Sequence, residues 1–234
     1  MFALVARGST THWKAVVGWV FTGLSTDKHK LWAFIVEAMR HLKRKEISTV
    51  GYSSDMGPCN TVLWSLNGVY ANESGVVTSR PHPVEEGKRL FFLPDVSHVM
   101  KNIWCQLLRC EYFLLPPDTV TENSLPSDKV QMEHVRQLYF CQGAKGGVKI
   151  LPELMTEHVN PSQFEKMRAN IAGSFSERMS AGLSFAAIHV PEVSREAEST
   201  GWFVGQVSEC KRLMNARHEF DSLSPQGRER VKFL

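Results

Sequence analysis

Two acidic residues stand where chemistry is possible: Asp55, which ends the run Ile47 to Ser54, and Asp95, which follows Arg89 to Pro94. Ile47, Val50 and Tyr52 with Ser and Thr between them favour an extended chain, and Gly57-Pro58 stops it, so Asp55 is expected at the carboxyl end of a strand. In an open α/β sheet that edge gathers ligands and catalytic groups, because the strand fixes the side chain and the loop beyond leaves it reachable. Asp95 lies 40 residues further on, after the apolar run RLFFL and Pro94, so both carboxylates can share one edge of one sheet. Two carboxylates at such an edge can hold a hard divalent cation through oxygen ligands, as phosphoryl transfer requires. Each also has a structural reading. Asp55 can bond turn amides ahead of Gly-Pro, and Asp95 can cap the helix it opens. His98, on the first turn of that helix beside Lys101, suits a structural hydrogen bond better than catalysis.

Other motifs carry less. Gly143-Ala-Lys145-Gly-Gly147 lacks the spacing of a phosphate-binding G-x-x-x-x-G-K-[ST] loop and reads as a break between helices. The chain has no G-x-S-x-G elbow, no H-E-x-x-H helix and no dinucleotide fingerprint. Five cysteines, Cys59, Cys105, Cys110, Cys141 and Cys210, are odd in number and contain no C-x-x-C pair. They predict a reducing compartment, core thiols and no zinc site.

The elements that position Asp55 and Asp95 can be taken in order. Phe2 to Ala6 and Trp13 to Phe21 are β-prone runs separated by the turn-like RGSTTH, either adjacent strands or one bulged strand. Thr26 or Asp27 can cap a helix from Lys28 to about Lys45, with Leu31, Phe34, Ile35, Ala38, Met39 and Leu42 at helical spacing and a basic last turn that suits the helix dipole. The strand at Ile47 completes a βαβ unit if it runs parallel to the strand at Trp13. Asn60 or Thr61 can cap the helix after Asp55. A polar, Pro-containing link from Asn72 to Gly87 leads to the strand at Arg89, and a helix follows from Asp95 to about Leu115. Beyond Asp118 the strand signals fade. Helical segments are predicted near Asp128 to Cys141, Ser162 to Leu183 and Ser194 to Asn215. The reading is an α/β portion over 1–115, a mostly helical portion over 116–221 and a disordered tail over 222–234.

The composition fits a folded protein. Of its 234 residues 43% are hydrophobic and 22% charged, so no large disordered portion is expected, and the length allows one or two domains. The net charge of +3 does not by itself identify a nucleic-acid binder. Basic residues cluster at Arg40, Lys43, Arg44 and Lys45, with His41 among them, and at Arg228, Arg230 and Lys232; each cluster reads as a solvated helix end. Arg7, His12 and Lys14 interrupt the apolar runs at the start, so neither a secretory signal nor a membrane span is expected there.

Three stretches together resemble the P-element transposase family, which includes transposase-derived proteins with THAP DNA-binding domains. They are Val5-Ala-Arg-Gly-Ser-Thr-Thr-His-Trp13-Lys14, Ser54-Asp55-Met-Gly-Pro-Cys-Asn60 and Pro94-Asp95-Val-Ser-His98-Val-Met-Lys101-Asn102. The resemblance continues through Ile150 to Pro161, Lys166-Met167-Arg168 and Leu213-Met-Asn215-Ala-Arg217. It implies a partial RNase H-like fold with a mostly α-helical insertion domain of the GTP-binding type. In that family three acidic residues bind two Mg²⁺ ions, which activate water or a DNA 3′-hydroxyl and stabilise the leaving oxygen. The resemblance makes Asp55 the second of the three. The first belongs to a strand upstream of Phe2 and the third lies past the insertion, so the chain alone is expected to be inert, and Asp95 becomes part of the motif leading into the insertion.

For the nucleotide, the resemblance implies that Arg168, Ala169 and Asn215 line a pocket. Glu153 stands where the family has Lys, which replaces a phosphate-seeking cation with an anion. Arg212 stands where it has the Asp that suits guanine's edge. The implied partner is DNA at transposon ends, in the nucleus, with no membrane and with a homo-oligomer open. The alternatives are a non-catalytic DNA- or protein-binding module and a degenerate GTP-dependent switch.

Overall fold

In the computed structural model, residues 1–9, 11–21, 27–72, 75–144, 149–162 and 173–215 are described. Phe2–Arg7 (β1) and Lys14–Val20 (β2) pair antiparallel as a hairpin, with a register shift between Leu4 and Val5. The two runs are therefore adjacent strands and not one bulged strand, with an irregularity inside their ladder. At the turn the Gly8 amide donates to the Trp13 carbonyl at 3.0 Å. A Cβ on Gly8 would run into the Thr11 carbonyl and the Trp13 ring, so the tight return needs glycine.

Asp27 caps the helix Lys28–Lys43 (α1), accepting from the amides of His29 at 2.8 Å and Lys30 at 3.4 Å. Those amides lower its carboxyl pKa below the ordinary value. Leu31, Ile35, Val36 and Met39 form the buried stripe. The basic last turn is solvated as expected, and Glu37 sits 2.9 Å from Arg40 and 3.2 Å from His41. Gly51–Ser54 (β3) follows, then Pro58–Leu66 (α2). That helix starts at Pro58 with Gly57 as its cap residue, and Asn60 and Thr61, expected as caps, lie within it. Proline fits the first helical position because its missing N–H would be unpaired there anyway.

The link from Asn72 to Gly87 contains more structure than its composition suggests. Tyr70–Asn72 (β4) pairs antiparallel with Gly75–Val77 (β5), and Ser79–Pro81 (β6) pairs antiparallel with Arg89–Pro94 (β7). The sheet order is β3-β7-β6, with β3 and β7 parallel. The parallel pair is thus β3 with β7, and the strand at Trp13 belongs to the separate β1-β2 sheet. Pro81 is tolerated because β6 is an edge strand. Along β7, Leu90 and Phe92 are buried while Phe91 and Leu93 are exposed, the alternation of a sheet covered on one face. Phe92 packs against Trp32, Tyr52 and Trp64 with ring centroids 6.1, 5.7 and 5.9 Å away, so one ring touches α1, β3 and α2.

The chain divides into two compact units, Met1–Asp95 and Val96–Leu234. The composition had placed the change near 116. The helix Val96–Arg109 (α3) buries Met100, Trp104 and Leu107 in the core of the second unit, which is why the division falls before it. Phe113–Leu114 (β8) pairs with Lys129–Val130 (β9), and between them runs the short helix Pro117–Glu122 (α4). Then come Met132–Ala144 (α5), Thr156–Val159 (α6), Glu177–His189 (α7) and Ala197–Met214 (α8). The predicted helix from Ser162 lies partly outside the described residues, as do most of the Gly143 to Gly147 break and the tail.

Helices α7 and α8 cross on small residues: a Cβ at Gly201 would meet Ser184 Oγ at 2.8 Å, and Ser180 Oγ donates to the Gly201 carbonyl at 2.8 Å. A buried polar set ties α8 to α5 and to the segment before it. Thr200 Oγ1 accepts from the Gln131 amide at 3.0 Å and bonds His134 Nδ1 at 2.8 Å, while Ser199 Oγ accepts from the Ser127 amide and donates to the Ser127 carbonyl. The cysteines are free thiols. Cys141 and Cys210 pack at the edge of this core, whereas Cys59 and Cys110 are exposed, so the core-thiol expectation holds only in part. Among the described residues no helix is long and apolar enough to cross a membrane.

Burial holds the pKa of His134, and likewise that of His158, below the ordinary 6.5. The unfolded chain therefore takes up these protons more readily than the folded one. The stabilisation is complete above pH 6.5 and is lost as pH falls through that value toward the depressed folded pKa. Thermal unfolding is expected to show a lower Tm at pH 5.5 than at pH 7.5, with His134→Gln reducing the difference.

Candidate functional site

Because β3 ends on Ser54, Asp55 leaves the sheet at its carboxyl edge. Ser54 is in register with Pro94 of the parallel strand β7, so Asp55 and Asp95 step off neighbouring strands at the same edge. The Asp95 amide donates to the Ser54 carbonyl at 2.8 Å, which carries the ladder one residue further. The edge anticipated from a spacing of 40 residues is present.

The surroundings of Asp55 are specific. Its Oδ1 accepts from the Gly57 amide at 2.8 Å and from Asn60 Nδ2 at 2.8 Å. Asn60 Oδ1 in turn accepts from the Tyr52 hydroxyl at 3.3 Å. A Cβ on Gly57 would stand 2.9 Å from Asp55 Oδ1, so glycine is what lets the carboxylate close over the turn. Trp64 Nε1 donates to Ser54 Oγ at 3.1 Å and fixes the residue just before it. Burial raises the Tyr52 phenol above its usual pKa; a hydrogen bond with Ser54 opposes this and the nearby Asp55 carboxylate adds to it.

This geometry matches the structural reading of Asp55, an Asx-type turn held by the carboxylate. It does not remove the chemical reading, since a carboxylate held in this way is also an oriented one. Sequence reasoning missed Asn60 as its partner and Tyr52 as the donor to Asn60. The D-x-G spacing signalled the amide contact, but no local pattern signals that a helix residue reaches back five positions. As a metal site the donors fall short. Among the described residues, no group of three or more His, Cys, Asp or Glu is placed to hold a metal ion. A two-ion centre needs several oxygen ligands, and among the described residues this sheet edge brings the carboxylates of Asp55 and Asp95.

The residues expected at a nucleotide are only partly in view. Arg168 and Ala169 lie outside the described residues. Asn215 ends α8 and lines a cleft of about 410 Å³ with Arg212, Lys211, Ser208 and the start of α7 at Ser176 to Arg178. The lining has more basic than acidic side chains, which suits an anion. Arg212 is paired bidentately with Glu209, at 2.7 and 2.8 Å, so much of its charge is already met. Glu153 is exposed and does not line this cleft.

No protein-family model and no curated protein matches the chain. Among solved structures, a chain of the Drosophila P element transposase strand transfer complex is similar in fold, with a TM-score of 0.73 and 21% sequence identity. The likeness covers 92% of this chain and 44% of that one, so this chain spans less than half the length of the protein it matches. Neither compact unit alone amounts to 92% of the chain, and the likeness therefore extends over both.

Removing the acceptor at Asp55 leaves two donors without their partner. Asp55→Ala is expected to destabilise the first unit by about 1–3 kcal/mol. Asp55→Asn keeps an oxygen in place and should recover at least half of the loss. Urea unfolding of the three proteins measures this; equal stability of all three would show that the clasp contributes nothing.

Proposed function

We propose that this chain is part of a P-element-like transposase, carrying a portion of an RNase H-like domain and a helical insertion, and that as a separate polypeptide it does not break phosphodiester bonds. The fold likeness over both units supports the ancestry. The observation that carries the reading is Asp55 at the carboxyl edge of a parallel pair, where a transposase of this fold needs a metal-binding acid. One such residue is too few. With Mg²⁺ held by a full acidic set, the chemistry supplied would be activation of a hydroxyl and stabilisation of the leaving oxygen. The residues of this chain contribute the position of Asp55 through β3, Gly57 and Asn60, and no step is assigned to them.

A second reading is favoured by the same clasp. A scaffold whose carboxylate serves the turn can persist as a DNA-binding module without chemistry, working in the nucleus. Its basic helix end at Arg40 to Lys45 is exposed, although Arg40 and His41 lean on Glu37. Phosphate contacts by such residues weaken with salt.

The chain with Mg²⁺ or Mn²⁺ and a DNA hairpin is expected to yield no cleavage; cleavage that Asp55→Asn abolishes overturns the claim of inertness. In a gel-shift series on the same hairpin, affinity should fall steadily as salt rises. Absence of any shift at low salt would remove the DNA-binding reading.

The cleft at Asn215 is the natural place for a nucleotide in this proposal. Its basic lining suits phosphates, and the engaged Arg212 argues for weak binding. GTP near millimolar concentration should raise Tm slightly while ATP does not. If GTP produces no shift, the nucleotide has no part here.

A further inference from the structure

The polar side chains around Asp55 come from β3 and α2 at complementary spacings. Tyr52 and Ser54 are i and i+2 on the strand and share one of its faces, while Asn60 and Trp64 are i and i+4 on the helix and share one of its faces. These faces meet: Trp64 Nε1 donates to Ser54 Oγ at 3.1 Å, and the Tyr52 hydroxyl donates to Asn60 Oδ1 at 3.3 Å. Tyr52 is 7% exposed and its ring packs edge-on against Phe92, so its hydroxyl stands at the border of the core.

The chemistry of these groups allows a single arrangement of protons. An ionised carboxylate only accepts, so the Asn60 amide must turn its nitrogen to Asp55 Oδ1, as it does at 2.8 Å. The amide oxygen then faces Tyr52, which has to donate to it. At the far end an indole N–H only donates. Ser54 Oγ therefore accepts from Trp64 and keeps its own proton for the phenol oxygen of Tyr52, a bond that works against the burial-raised pKa of that phenol. The donors all point one way, from Trp64 through Ser54, Tyr52 and Asn60 to Asp55. Bonds in such a series polarise one another, and the charge at its end strengthens the last. The bond to Asp55 alone would leave the Asn60 amide able to pivot about it. The phenol is the second anchor, and it sets the plane of the amide.

We propose that Tyr52 is a positioning residue for Asp55, acting through Asn60, so that a phenol held at the core of the first unit sets the direction in which the sheet-edge carboxylate faces. Phenylalanine at this position would fill the same space and keep the packing on Phe92, but it would remove the anchor. The pattern is local in sequence, with Tyr52, Ser54, Asp55, Gly57, Asn60 and Trp64 all within one strand, one turn and one helix. This role rests on the reading of Asp55 as the acid of the site. Its test reads hydrogen bonds and not cleavage, so the two fail separately.

NMR of the full chain supplies that test through a pair of signals: solvent exchange of the Asn60 side-chain amide protons, and the carboxyl carbon resonance of Asp55 at neutral pH. Tyr52→Phe is expected to speed the amide exchange by about 10-fold, as loss of one hydrogen bond would, and to move the Asp55 resonance. Leu90→Val, at a fully buried site on β7, loosens the same core without removing a link of the series, and is expected to leave both signals in place. If either signal is unchanged in Tyr52→Phe, the positioning role is overturned. Equal changes in Leu90→Val overturn it as well, since Tyr52 would then act on Asp55 only as a packing residue.

Discussion

The first unit depends on the parallel pairing of β3 with β7 around Phe92. The ladder sets Ser54 opposite Pro94, and the ring, 1% exposed, packs against Trp32, Tyr52 and Trp64. Burial of a phenylalanine contributes about 1.5–3 kcal/mol, and its three aromatic contacts add specificity of geometry. Because those contacts reach α1, β3 and α2, the ring fixes the strand that carries Asp55 and the helix that supplies Asn60. The carboxyl edge of the sheet is a consequence of this packing.

At that edge one carboxylate has two claims on it. A metal centre needs Asp55 as an oriented anion with oxygen to share, whereas the turn needs it as an acceptor for Gly57 and Asn60. What decides the chemistry is the number of other acids within reach, and the neighbouring strand contributes Asp95 alone.

Legibility followed the length of the signal. The capped helix after Asp27, the strand Arg89–Pro94 and the position of Asp55 at a strand's end were readable because each combines a periodic apolar pattern with a clear stop. The strands β5 and β6 were not, since three residues are too few to show a period. The start of α2 was missed by favouring polar capping residues over proline at the first position. The bonds from Thr200 to His134 and from Ser199 to Ser127 join residues 66 and 72 positions apart, which local pattern does not encode. The boundary was drawn where composition changes, but the helix α3 follows its buried Trp104 into the second core.

The central claim is that Asp55 and Asp95 leave one sheet edge from neighbouring parallel strands. The most direct measurement is of cross-strand proton contacts by NMR in the isolated chain. Contacts linking Tyr52 with Phe92 and Ser53 with Leu93 in parallel register are predicted; an antiparallel pattern, or no contact between these strands, would contradict the account.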